Sequence, residues 1–166
     1  MMPHFDALPQ LFEYRLGMAL KMEQDSMNML QMLGGAAQAT EARSFFAQHY
    51  DETRVQFANL ERVFELLGFE REAHPSPATE ALLRDGMEML ARTDRALLDE
   101  VLLTSALSVE HYEISVYEGL LIAAQAIGAD EASPLLEQNL EQERRASESL
   151  AAAARAVAAR VPGRRA

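Results

Sequence analysis

Residues 101–124, VLLTSALSVEHYEISVYEGLLIAA, decide the fold. Leu103, Ala106, Glu110, Glu113, Tyr117, Leu120 and Ala124 recur at alternating steps of three and four, the period of one face of an α-helix. Apolar side chains fill both ends of that face and two carboxylates stand at its centre. The stretch therefore predicts a long helix whose apolar stripe is interrupted, halfway along, by groups that ordinarily face water.

The helical pattern continues on both sides. Glycine and proline are scarce, 8 and 6 residues, and they separate runs of Ala, Leu, Glu, Met, Gln and Arg, all strong helix formers. No segment alternates with period two, so strands are not expected. Helix A is expected over about 6–33, stopped by Gly34-Gly35, and helix B over 40–67, stopped by Gly68. A short helix over 77–91 opens on Ser76 and Pro77. Helix C is expected over 94–127, from an Asp94 cap to Gly128, and helix D over 133–159, followed by a basic tail at 160–166. Two hairpins, A–B and C–D, joined by a longer crossover that carries the short helix, predict an all-α, ferritin-like antiparallel four-helix bundle in a single domain over 1–166.

Each of the other long helices repeats the interruption. Helix A gives Leu16, Leu20, Glu23, Met27 and Leu30; helix B gives Phe45, His49, Glu52, Gln56, Leu60, Val63 and Leu67; helix D gives Leu136, Leu140, Glu143, Ala146, Leu150, Ala153 and Val157. One Glu on such a stripe says little, because most helical Glu residues are solvated. Four helices sharing the feature near mid-length say more. Glu23 lies 11 residues before Gly34 and Glu52 lies 12 after Thr40, so these two match in height. Glu113 lies 15 before Gly128 but Glu143 only 10 after Ser133, a mismatch of about five residues, roughly 7 Å, that the C–D connection must absorb.

Buried together, these carboxylates could not all stay ionised without countercharge. No Arg or Lys falls on the four stripes. Two divalent cations would supply the charge, and carboxylate oxygens with an imidazole suit iron or manganese.

The remaining composition excludes other chemistries. Fifteen Lys+Arg against 26 Asp+Glu give a net charge of −11, which disfavours duplex DNA and anionic membranes as partners. Four arginines near the C-terminal end, Arg155, Arg160, Arg164 and Arg165, come without aromatics and do not make a nucleic-acid site. Without Cys there is no disulfide, thiolate metal site or cysteine nucleophile. No Gly-rich phosphate loop or G-x-S-x-G elbow is present. The opening MMPHFDALPQLFEYRL does not read as a signal peptide, and no uncharged apolar run reaches 18 residues, so a soluble cytoplasmic protein is expected.

HYDETRVQFANLERVFELLG in helix B and VEHYEISVYEGL in helix C closely resemble the YciE/YciF-like ferritin-like family, with looser support from KMEQD, LLRDGMEML and IGADEASPLLEQNLEQE. The resemblance covers roughly residues 10–155. It implies a four-helix bundle with a rubrerythrin-like dinuclear site, often in a dimer, a link to bacterial stress responses and a ferroxidase activity. It places the metal ligands at Glu23, His49, Glu52, Glu110, Glu113 and Glu143. By the same likeness Glu52 and Glu143 bridge the ions, Glu23, Glu110 and His49 are terminal ligands, and Glu113 shifts with redox state, so that Glu52 and Glu113 take part in the reaction. Two departures stand out: His49 precedes Glu52 by three residues instead of following it, and Ala146 stands three after Glu143 where a His is common.

The expected function is thus that of a protein with two iron ions, or manganese, that oxidises Fe(II) or consumes peroxide or oxygen with an unidentified electron donor. The alternative is a helical scaffold or interaction dimer whose site is empty or structural. A storage cage is disfavoured because no fifth helix is expected after helix D. Tyr117 and Gln56 are each either hydrogen-bond donors to a ligand carboxylate or satisfied core residues. His111 points about 100° away from Glu110 and is read as solvated or as a support behind a ligand; His4 and His74 are read as solvated. Met18, Met22, Met29 and Met32 form a second apolar line on helix A, from which a homodimer is expected.

Overall fold

The structure, a computed structural model, describes residues 3–161. Five α-helices follow one another: α1 (Leu8–Ala36), α2 (Thr40–Leu67), α3 (Pro77–Ala91), α4 (Leu98–Ile127) and α5 (Ser133–Ala158), with a 3-10 turn at Arg95–Leu97. There is no strand among the described residues. Most of the basic tail expected at 160–166, from 162 onward, lies outside them.

Short connections fold α1 back on α2 and α4 back on α5. α1 also packs on α4, α2 on α5, and α3 lies mainly across α4. Two apolar clusters result. One gathers Phe12, Leu16, Leu60, Phe64, Leu120 and Leu136; the other gathers Leu30, Phe46, Leu102, Leu103 and Leu150. Between them, at mid-height, lies a buried polar layer.

The helix ends differ from expectation in instructive ways. Gly34-Gly35 does not stop α1, which runs on to Ala36. Glycine costs only about 1 kcal/mol inside a helix, and the extra turn is held by Ala37, which turns extended and donates its N–H to the Leu33 carbonyl. Among the described residues only Gly68 and Gly128 adopt the left-handed conformation that commonly ends a helix, with φ of 65° and 72°. Asp94 opens the 3-10 turn without a side-chain cap, and α4 proper starts at Leu98. Ser76 does not cap α3 either; its hydroxyl pairs with Thr79 Oγ1 at 2.8 Å.

Asp99, in the first turn of α4, does the capping instead, across the fold. Its Oδ1 accepts the Gln38 N–H at 2.7 Å and its Oδ2 the Ala39 N–H at 2.8 Å, satisfying amides where α2 begins. The expected C–D mismatch also disappears. Residues 129–132 already coil, with Ala132 N–H on the Ala129 carbonyl and Leu136 N–H on that of Ala132. The rise towards Glu143 therefore begins well before Ser133.

The methionine line is not a free face. Met22 and Met29 are buried in the chain's own core, and of the four only Met32 is well exposed, at 52%. His74 is not simply solvated: its ring stacks on Tyr14 with centroids 4.2 Å apart, and its N–H bonds the Gly17 carbonyl at 3.0 Å. The strap after Gly68 thus lies directly on α1 at its one close glycine. A Cβ at Gly17 would stand 2.3 Å from the Glu72 carbonyl oxygen and 2.6 Å from His74 Cδ2, whereas one at Gly35 meets nothing within 4 Å. Gly17→Ala should therefore cost about 1–3 kcal/mol, with Tm falling by roughly 2–4 °C per kcal/mol in a chain this long. Gly35→Ala should raise stability by up to about 1 kcal/mol, and thermal melts of the pair check both.

Candidate metal centre

The period of α4 that places Leu103 and Leu120 in the core also places Glu110 and Glu113 there, both fully buried. α1 brings Glu23 to the same layer, α2 brings His49 and α5 brings Glu143, none more than 1% exposed. One donor atom from each of His49, Glu110, Glu113 and Glu143 lies within 4.8 Å of all the others, close enough to hold a metal ion. His49 Nε2 is 3.0 Å from Glu110 Oε1 and 3.9 Å from Glu143 Oε2.

Glu23 and Glu52 stand outside that tight group. Glu23 is held by Tyr117, whose hydroxyl donates to its Oε1. Glu52 is at the rim, 35% exposed, with Oε2 3.3 Å from His49 Nδ1 and Oε1 accepting from Gln48 at 3.1 Å. Both choices left open by the sequence resolve towards the site, because Gln56 likewise donates to Glu143 Oε1. His111 is exposed.

Asn139 is the supporting residue that the stripe reading passed over. It is fully buried, and its Nδ2 donates to the Tyr117 hydroxyl at 3.0 Å and the Gln56 carbonyl at 3.1 Å. Its signal was available, since it lies one turn before Glu143 beside Leu136 and Leu140.

The electrostatics follow from burial without countercharge. No Arg or Lys is buried among the described residues. Desolvation pushes Glu23 up to about 8 despite the Tyr117 hydrogen bond and the nearby His49. Glu113 and Glu143 are also raised well above the usual carboxylate range, first by burial and then by their neighbouring carboxylates. Burial alone would lower His49, but the Glu110 carboxylate beside it and the bonds to Glu110 and Glu52 raise it to about 10. Glu52, by contrast, is held low by its bond to His49.

One protonated imidazole does not satisfy four buried carboxyls. Glu23 Oε2, Glu110 Oε2, both oxygens of Glu113 and Glu143 Oε2 have no hydrogen-bond partner. Orphaned buried acceptors are rare and costly. Hard oxygen donors converging with one imidazole are what a divalent transition metal needs, so the residues present fit such an ion.

Comparison with known proteins places the chain. Residues 7–161 match the family described as a domain of unknown function, DUF892, and the chain belongs to that family. It is 27% identical to the protein YciF of Escherichia coli strain K12 over 139 residues, which span 82% of this chain and 84% of the relative. The crystal structure of the E. coli stress protein YciF superposes with a TM-score of 0.89 at 25% identity, covering 94% of this chain and 99% of that one. YcfI of Rhodopseudomonas palustris, a proposed structural protein, superposes with a TM-score of 0.87 at 26% identity, covering 91% and 97%. The expected YciE/YciF-like resemblance is thereby established.

The raised groups fix the sign of a pH effect in metal-free protein. Glu23 keeps its proton when folded from its ordinary 4.5 up to about 8, and His49 from 6.5 up to about 10, while the unfolded chain has released both. Stability is therefore greatest at low pH and falls as pH rises through this window. Lowered Glu52 acts only below its ordinary value, outside it. Thermal melts in chelator should show Tm falling between pH 6 and pH 9. Adding Mn(II) should stabilise more as pH rises, because ligands must lose protons to bind; a flat profile in chelator would contradict this account of the layer.

Proposed function

We propose that this DUF892 chain is a ferritin-like antiparallel four-helix bundle that holds two iron or manganese ions on Glu23, His49, Glu52, Glu110, Glu113 and Glu143. The observation that carries the reading is the set of orphaned oxygens in the buried layer. Glu23 and Glu143 are each fixed through Oε1, by Tyr117 and Gln56, and each leaves Oε2 free. Glu113 leaves both oxygens free. This is the behaviour of side chains oriented for a ligand that is not a protein group.

Iron or manganese would supply oxidation chemistry towards Fe(II), peroxide or oxygen. The chain's own residues do the rest. The two apolar clusters exclude water from above and below the layer. Tyr117 holds Glu23 and Gln56 holds Glu143, and Asn139 ties the two supports together through the Tyr117 hydroxyl and the Gln56 backbone carbonyl. Neither oxygen of Glu113 is held by such a bond, and we assign it as the ligand that shifts with redox state. An electron donor of another kind is required, since this sequence has no cysteine for an iron–sulfur centre. A cytoplasmic stress-response role accords with this chemistry, and YciF of E. coli is itself described as a stress protein. A homodimer is proposed through the exposed Met32 and Met87, which line one groove between α1 and α3.

A second reading is a helical scaffold, favoured by the His49–Glu110 pair that already neutralises one carboxylate within the protein. Metal analysis separates the two. Untagged protein purified without added metal should carry about two iron or manganese ions per chain, the complement of carboxylate–histidine bundle sites. Glu110→Ala/Glu113→Ala should abolish this. Wild type that stays metal-free and takes up neither ion anaerobically would leave the scaffold.

A further inference from the structure

The buried layer is sealed on most sides, yet an ion must reach it. Of the six proposed ligands, Glu52 alone touches solvent appreciably. It does so in a cleft of about 420 Å³ between α2 and α5, whose walls include Gln48, His49, Glu52, Arg145, Ala146 and Ser149. The other main cavities lie elsewhere: one between α1 and α4 beside Arg15 and Tyr112, one under α3, one between α1 and α2 beside Gln31, and one at the Tyr14–His74 stack. None of these is lined by a proposed ligand.

One small residue, Ala146, stands on the α5 wall of the cleft. Ala146 follows Glu143 by three positions, less than one helical turn, so it faces the same side of α5 towards α2. A side chain reaching past its Cβ would occupy the space in front of His49. Inside the cleft the chemistry suits a cation. Glu41 and Glu52 line it, the exposed Arg145 is engaged by Glu141 at 2.8 Å, and His49, itself a proposed ligand, forms its inner wall.

We propose that this α2–α5 cleft is the route by which a divalent cation enters the buried layer. Glu52 is the receiving carboxylate at its inner end, and the small side chain at position 146 keeps the route open. Cations drawn by the two carboxylates reach Glu52 first and pass beside His49 to Glu110 and Glu143, which lie next to that imidazole. The inference rests on the proposed metal site, and it concerns rates of loading where that proposal concerns capacity.

The test is Co(II) uptake by chelator-treated full-length protein, followed by stopped-flow absorbance, with final metal content measured separately. Ala146→Leu narrows the inner cleft. Ser149→Trp blocks its exposed mouth without touching the core, so it remains informative if the first variant folds poorly. Each should slow uptake by about tenfold, equivalent to about 1.4 kcal/mol on the barrier, with the final Co(II) content unchanged. Gln31→Trp, in the separate groove between α1 and α2, should load at the wild-type rate. Unchanged rates in Ser149→Trp and in folded Ala146→Leu would overturn the route while leaving the site intact. Wild type that binds no Co(II) would overturn both.

Discussion

A charge removed from water must be given a partner or surrender its ionisation, and the whole fold is arranged around that constraint. Glu23, Glu110, Glu113 and Glu143 are buried at mid-height between two apolar clusters, with His49 the one buried basic group among the described residues. None of the four belongs to either apolar cluster. Their retention in the layer therefore has to be explained by something other than stability, because replacing buried charge with hydrophobic side chains is often neutral or stabilising. The hydrogen-bonded chain of Tyr117, Asn139 and Gln56 sharpens the point. It spends three further buried polar groups on orienting carboxylates that then present bare oxygens.

The polar layer also divides evenly over the two helical hairpins. α1 and α2 contribute Glu23, His49 and Glu52, whereas α4 and α5 contribute Glu110, Glu113 and Glu143. Neither hairpin holds a complete set of donors. The layer is thus a property of docking, made only when one half of the chain closes on the other, and a bound cation would act as a bond between the halves.

Much of this was legible in the sequence because helix periodicity and side-chain burial are the same signal. The steps of three and four through Glu110, Glu113 and Tyr117 can only be satisfied on one face, and all three prove fully buried. The alternatives left at Tyr117 and Gln56 were decided by distances between helices, which no single stripe contains. Helix ends were harder to read. Gly34 and Gly35 look like a stop, but glycine stops a helix only where the backbone turns left-handed, as at Gly68 and Gly128. The methionine line misled for a related reason. Met22 and Met29 read as a surface stripe until α3 and α4 are placed over them.

The Asp99 clamp acts as a ruler for the layer. It ties the start of α4 to the start of α2, since its two oxygens accept the Gln38 and Ala39 amides. From that shared origin, His49 comes ten residues after Ala39 and Glu110 eleven after Asp99, about 15 and 17 Å along their helices. Their meeting at 3.0 Å follows from nearly equal counting from one mark. Insertions between Gly68 and Asp94 leave that count untouched, provided they keep the His74–Gly17 contact and the packing of α3 on α4. A single residue gained or lost within 40–48 or 100–109 would rotate one ligand by about 100° and put the two out of step.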